Sequence, residues 1–96
     1  MVVLIVGYDC KPGQREAFVE AVKSAGLDQM SRDEEGNLRY AYSYAVEDPD
    51  KVYLLEQWKS EEAFNEHCAT EHFKKLGEMK GDYVLNTVFE KYYTED

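Results

Sequence analysis

Val2, Leu4, Val6 and Tyr8 alternate with Val3, Ile5, Gly7 and Asp9, and both sets are largely apolar. Successive side chains of a strand point to opposite faces, so this pattern predicts a central strand, covered on both sides, from Val2 to Cys10. Lys11-Pro12-Gly13 ends it, because Pro has no N–H for the ladder and Gly frees the backbone to turn. From about Gln14 the period changes. Phe18, Ala21, Val22 and Ala25 fall at i, i+3, i+4 and i+7, the stripe of an amphipathic helix, with Gly26 as its stop. Leu27 to Glu35 carries Asp28, Ser31, Arg32, Asp33, Glu34 and Glu35 without a period and reads as a solvated connector in which Met30 tucks in.

Gly36-Asn37 opens a second strand whose one face carries Leu38, Tyr40, Tyr42, Tyr44 and Val46 and whose other face carries Arg39, Ala41, Ser43 and Ala45. Glu47-Asp48-Pro49-Asp50 has turn chemistry, and Val52 to Trp58 is again a strand. A hairpin centred near Pro49 faces Tyr44 with Leu54, Tyr42 with Glu56 and Tyr40 with Trp58. Ser60 is a natural N-cap for a helix beginning Glu61-Glu62, whose carboxylates suit the positive end of its dipole. Phe64, His67 and Cys68 form the inner stripe of that helix. After a bend near Ala69-Thr70, Thr70 caps a second segment reaching about Met79, with Phe73 and Leu76 inward. Val84 to Tyr93 follows Gly81-Asp82 as a last strand.

The order β-α-β-β-α-β is the ferredoxin-like arrangement, an α+β fold with a four-stranded antiparallel sheet and both helices on one face. Residues 1–96 are expected to form one such domain. The uncovered face is assigned Val3, Ile5, Tyr53, Leu55, Leu85 and Phe89, too apolar to leave in water. Its simplest cover is the same face of a second copy, so a homodimer is expected.

Composition narrows the function. The chain has 96 residues, 44% of them hydrophobic, with 11 Lys+Arg against 20 Asp+Glu and a net charge of −9. Such a field repels phosphate backbones and anionic lipid heads, so no nucleic acid and no membrane surface are expected as partners. The longest apolar run, Met1 to Val6, is too short to span a bilayer and has no basic segment before it, which points to the cytoplasm. Cys10 and Cys68 lack the paired spacing of a disulfide scaffold or zinc site and are expected to be reduced.

The most informative stretch runs from Glu56-Gln57-Trp58 through Ser60 to Phe64 and His67. Trp58 ends a strand, and His67 lies two turns into the next helix, so an indole, an imidazole and the Glu56 carboxylate face one gap between sheet and helices. Trp58 and His67 are the candidate catalytic residues, with Phe64, Tyr40, Tyr42 and Glu56 as candidate substrate contacts. Each has a plainer reading. His67 bonded to Glu56 or a carbonyl, Trp58 as a core wall, Glu56 as a structural hydrogen-bond partner and the tyrosine row as strand packing are all consistent with the pattern. His67 and His72, with Glu66 and Glu71, do not match the HExxH spacing, since i, i+5 turns them apart on a helix, so no metal is expected.

Taken in order, Lys11-Pro12-Gly13, Glu35-Gly36-Asn37-Leu38-Arg39-Tyr40, Glu56-Gln57-Trp58-Lys59-Ser60, Ala63-Phe64, His67 and His72-Phe73 resemble the antibiotic biosynthesis monooxygenase superfamily nearly end to end. The resemblance implies a dimeric α/β barrel and a cavity in each subunit containing the Trp58 and His67 positions. It implies cofactor-independent oxidation of a small aromatic, such as a quinol or anthrone, by O₂. A related branch processes a phosphorylated autoinducer-2 signal, which calls for phosphate-binding cations, and Arg39 and Lys59 do not converge. Haem-degrading relatives carry a helix histidine where this chain has Gly77 and a strand asparagine near Val6, so the resemblance implies no haem. For the oxygenase chemistry a neutral His67 can take the substrate's proton, because its ordinary pKa suits neutral pH, while Trp58 and the tyrosines stack on a flat ring. A non-catalytic small-molecule binder with the same fold is the reading from a different class.

Overall fold

A computed structural model describes residues 1–95. The strands are β1 (Val2–Cys10), β2 (Asn37–Tyr44), β3 (Lys51–Trp58) and β4 (Val84–Tyr93), and the helices are α1 (Arg15–Ser24), α2 (Leu27–Arg32), α3 (Glu61–Cys68) and α4 (Glu71–Tyr83). They run β-α-α-β-β-α-α-β. The sheet is antiparallel throughout in the order β2-β3-β1-β4, which is the ferredoxin-like topology with each helical connection broken in two. No helix among the described residues is long and apolar enough to cross a membrane.

The core lies between one sheet face and the helices. Val2, Leu4, Val6, Tyr8 and Cys10 of β1 and Val52, Leu54 and Trp58 of β3 are buried there, beneath Phe18, Val19 and Val22 of α1, Leu27 of α2, Ala63 of α3 and Leu76 of α4. The helical stripe is therefore Phe18, Val19 and Val22, and Ala25 at the helix end is exposed. Gly26 adopts a left-handed φ of 71° and ends α1 as its position suggested.

Other expectations change as well. The connector Leu27 to Glu35 is not fully solvated, since α2 occupies most of it and buries Leu27, Asp28 and Ser31, while Met30 is exposed. A helix of this length is too short to display a period. Its buried acid is tolerated because Lys23 and Arg32 reach Asp28 Oδ2 at 3.0 and 2.9 Å, which outweighs the effect of burial and lowers the pKa of its carboxyl. The β2–β3 hairpin is shifted by two residues, so that Tyr40 faces Glu56, Tyr42 faces Leu54 and Tyr44 faces Val52. The turn closes through Ala45 N–H to Lys51 O, one residue earlier than a centre at Pro49 requires. A shift of two keeps every side chain on its expected face. Finally, Phe89 pairs with Val6 and so faces the helices, and Leu85 falls in a register irregularity, whereas Val88 and Tyr92 join Val3, Ile5, Tyr53 and Leu55 on the uncovered face.

At the C-terminal side, Ser60 caps α3 by accepting from Ala63 N–H at 3.1 Å, and Thr70 caps α4 by accepting from Phe73 N–H at 3.2 Å. The bend between the helices is thus fixed by Thr70, whose hydroxyl also donates to His67 O at 2.7 Å. Helix α4 runs through Gly81-Asp82 to Tyr83, and Phe73 turns inward onto His67, ring centroids 5.3 Å apart, while remaining 40% exposed.

Gly36 joins the α2–β2 turn to α3. Its carbonyl accepts from Lys59 N–H at 2.9 Å, and a Cβ built on it would stand 2.3 Å from Ala63 Cβ. Gly36→Ala is therefore expected to destabilise the chain by about 1–3 kcal/mol through overpacking, measured by urea unfolding, and Gly36→Ala combined with Ala63→Gly should recover most of the loss.

Candidate active site

Glu56 is the acid of the sheet interior. It lies between Leu4 on β1 and Tyr40 on β2, points toward the helices and is 6% exposed. One of its oxygens, Oε1, accepts from Trp58 Nε1–H at 3.0 Å, the indole being two residues along the same face of β3. Burial, reinforced by the charge of Glu34 and opposed by the Trp58 hydrogen bond, raises the carboxyl from its ordinary 4.5 to about 7. A side chain that is half-protonated near neutrality can accept a proton and release it again.

His67 lies directly over Trp58, with ring centroids 4.5 Å apart and planes inclined by 32°. It is 2% exposed, and Nε2 stands 3.9 Å from Glu56 Oε1. The opposite nitrogen, Nδ1, lies 2.6 Å from Glu34 Oε2, and His72 Nε2 reaches the same oxygen at 2.8 Å. With Glu34 as a carboxylate, both imidazoles donate to it, which leaves the lone pair of His67 Nε2 facing Glu56. Burial lowers the pKa of His67 against the pull of Glu34, so the ring is neutral at pH 7.

A cavity of about 460 Å³ opens on the other side of Glu56. Leu4, Val6 and Tyr8 of β1 form its floor, Phe64 and Cys68 of α3 and Phe73 and Lys80 of α4 its roof, and Thr87 and Phe89 of β4 its outer wall. The space is apolar with few polar groups, as small-molecule sites are. Of the residues singled out from sequence, Glu56 and Phe64 line it. His67 and Trp58 lie together as expected but behind Glu56, outside the cavity lining. Tyr40 packs edge-on to both Tyr42 and His67, each at 5.9 Å, and with Tyr42 borders a separate depression of about 360 Å³ beside Val19 and Arg32. Burial raises the hydroxyl pKa of Tyr40 to about 12 and raises those of Tyr8 and Tyr42 further, so all three remain neutral phenols.

Sequence reasoning missed Glu34 because it sits in an acidic run with no period. What locates it is three-dimensional: Asn37 N–H closes a turn on Glu34 O at 3.0 Å, and the Gly36 contact presses that turn against α3. On one continuous helix His67 and His72 would diverge. The Thr70 cap splits it, and the two rings converge on one carboxylate, with the three polar atoms within 4.8 Å of one another. Arg39 and Lys59 do not converge on the cavity. Lys59 pairs with Glu35 at 3.1 Å, and Arg39 faces Gln57 on the outer side of the sheet.

Residues 1–78 match the family described as antibiotic biosynthesis monooxygenase. The chain belongs to the antibiotic biosynthesis monooxygenase family. Its relatives include the candidate monooxygenase YcnE of Bacillus subtilis (strain 168), 36% identical over 95 residues that cover 99% of this chain and 97% of that protein. Among solved structures, the chain is similar to PA3566 of Pseudomonas aeruginosa, with a TM-score of 0.85 and 27% identity over 99% of this chain and 94% of that one. It is also similar to a candidate antibiotic biosynthesis monooxygenase from Nitrosomonas europaea, with a TM-score of 0.86 and 26% identity over 98% of each chain. A monooxygenase-like function follows from this membership, and the ferredoxin-like fold is that of the antibiotic biosynthesis monooxygenases.

The two buried groups impose opposite pH dependences. Glu56 titrates higher in the folded chain, so its stabilising contribution is complete below about pH 4.5 and is lost as pH rises to about 7. His67 titrates lower when folded, so stability is lost as pH falls below its ordinary 6.5. Glu56→Gln isolates the first effect. Its stability relative to wild type should grow between pH 4.5 and 8 by on the order of 3 kcal/mol, read from urea midpoints. Parallel curves for the two proteins would contradict the assignment.

Proposed function

We propose that the chain is a cofactor-independent monooxygenase that oxidises a small aromatic, a quinol or an anthrone, with O₂. The observation that carries this reading is a carboxyl poised near neutrality in the wall of an apolar cavity, Glu56, with a neutral imidazole behind it. For an anthrone the overall change is CH₂ + O₂ → C=O + H₂O. The substrate supplies four electrons and O₂ accepts four, so no external reductant is required. The difficult step is ionisation, since only the electron-rich anion passes an electron to O₂. Glu56 takes that proton while the apolar walls keep water from the anion.

His67 then restores the base. Protonated Glu56 is one short movement from donating to Nε2, about an ångström beyond hydrogen-bond reach. On the other side, the Nδ1 proton has an acceptor already in place in Glu34. Glu34 itself lines an outer depression with Glu35, Lys59 and Glu66, so the proton leaves on the side of the protein away from the substrate. Trp58 stacks on His67 and hydrogen-bonds Glu56, holding both partners in register. In this reading His67 and Trp58 act through Glu56, Phe64 offers the ring its aromatic wall, and Tyr40 and Tyr42 pack behind.

The protein is also proposed to work as a homodimer. Ile5 and Tyr53, with Val88 and Tyr92 beside them, leave a sheet face about half-exposed and apolar. A two-fold pairing of that face would bury on the order of 2,000 Å² in total, and sedimentation at micromolar concentration should give the mass of two chains. A folded monomer there would refute the dimer.

Oxygen uptake with a panel of quinols and anthrones tests the activity. Glu56→Gln and His67→Ala should each lower kcat by roughly 10²–10⁴-fold, the range typical of a lost general base. Wild-type rates in Glu56→Gln would exclude the carboxyl as base, and no uptake with any substrate by wild type would favour a non-catalytic binder.

A further inference from the structure

Lys80 projects from the last turn of α4 into the same cavity wall. Its Nζ lies 3.4 Å from Thr87 Oγ1 on β4 and 5.5 Å from the centre of the Tyr8 ring on β1. Of the eight lysines, Lys23 pairs with Asp28, Lys51 with Asp9, Lys59 with Glu35 and Lys91 with Glu61, and of the other four Lys80 is the one that lines the cavity. Among the described residues no carboxylate lies within 4.0 Å of Lys80 Nζ, although acids outnumber bases 20 to 11. The Tyr8 hydroxyl is kept neutral by burial and adds no charge of its own. Lys80 is therefore a half-buried ammonium facing an apolar cavity with only a hydroxyl and a ring for company.

Its placement relative to Glu56 is set by the sheet. Glu56 stands beside Leu4 of β1 and Thr87 beside Tyr8, four residues further along the same strand. At about 3.3 Å per residue the two levels are about 13 Å apart, with the side chains reaching into the space between them. Glu56 and Lys80 are the charged members of the lining, with Leu4, Val6, Phe64 and Phe89 among the walls.

We propose that Lys80 anchors an anionic group of the substrate, so that the substrate is a hydroxyaromatic acid held with its carboxylate or sulfonate at Lys80 and its hydroxyl at Glu56. This rests on the cavity being the aromatic site. The polarity also fixes the orientation. An acid group placed at Glu56 would meet a carboxyl that repels it when ionised, whereas at Lys80 it meets the unpaired cation, in a low-dielectric setting that strengthens the attraction. The hydroxyl is thereby delivered to the base.

The test compares 6-hydroxy-2-naphthoate with 2-naphthol, the same fused ring and hydroxyl without the acid, by fluorescence anisotropy at pH 7.5 without turnover. Wild type should bind the acid about 10- to 100-fold more tightly. Lys80→Met should abolish the preference while still binding 2-naphthol, and a wild-type far-UV circular dichroism spectrum reports that the variant is folded. Lys80→Glu should reverse the preference. Equal binding of the two compounds by wild type, or a preference that survives Lys80→Met, overturns the anchor while leaving the aromatic cavity standing. Failure to bind either compound overturns both.

Discussion

One carboxylate oxygen, Oε2 of Glu34, holds three separate elements together. It accepts from His67 on α3 and His72 on α4 while its own backbone turns the chain from α2 into β2. Each bond crosses more than thirty positions of sequence, so each fixes a tertiary relation that no local propensity supplies. Without it, two imidazoles and an acid would share a largely buried space with unmatched donors, at a cost of about 1–3 kcal/mol for each orphaned group. With it, His67 has a defined tautomer and its second nitrogen is aimed at Glu56. The functional polarity of the interior therefore begins at a residue that does not touch the cavity.

The two glutamates show how environment divides roles among identical side chains. Glu34 is surrounded by N–H donors and borders an outer depression. Glu56 has the Trp58 N–H as its hydrogen-bond donor and sits beside Leu4 and beneath α3, where charge is poorly solvated. The same carboxyl chemistry thus yields a fixed acceptor at one end of His67 and a titrating group at the other. A row of neutral tyrosines surrounds Glu56 without competing for its charge, since burial holds Tyr8 and Tyr42 above the usual phenol range and Tyr40 at about 12.

Much of this was legible along the chain, and the physical reason lies in period. The strands alternate, α1 and α3 carry stripes, and Ser60 and Thr70 have the side chains that cap helices, so the element order apart from α2 and the sheet face of Glu56 and Trp58 follow from local rules. The β2–β3 shift of two residues preserved those faces while replacing Trp58 with Glu56 opposite Tyr40. What was not legible depends on contacts between distant segments. Glu34 belongs to an acidic run that looks solvated, and only the close approach of Gly36 to Ala63 brings it inward. The face of Phe89 is not readable from alternation with Leu85, because a register irregularity between Asp9 and Cys10 offsets the start of β4 from the rest of the strand.

A small domain has little interior, and here the interior is divided by depth. α1 packs against the sheet with apolar contacts around Phe18, Val22 and Leu54, which are fully buried, and α2 adds Leu27 together with Ser31 and the ion-paired Asp28. α3 and α4 instead stand off far enough to leave a cavity, with Glu56 and His67 buried beneath them. The Thr70 break makes that possible: one straight helix would carry His67 and His72 on diverging faces, whereas two short helices direct both rings at Glu34 and still leave Phe64, Phe73 and Lys80 over the cavity. The same cap thus separates a dry binding surface from a polar network, with Glu56 on the boundary between them. A group at that boundary meets an apolar molecule on one side and a proton path on the other, which is the arrangement that ionising a substrate away from water requires.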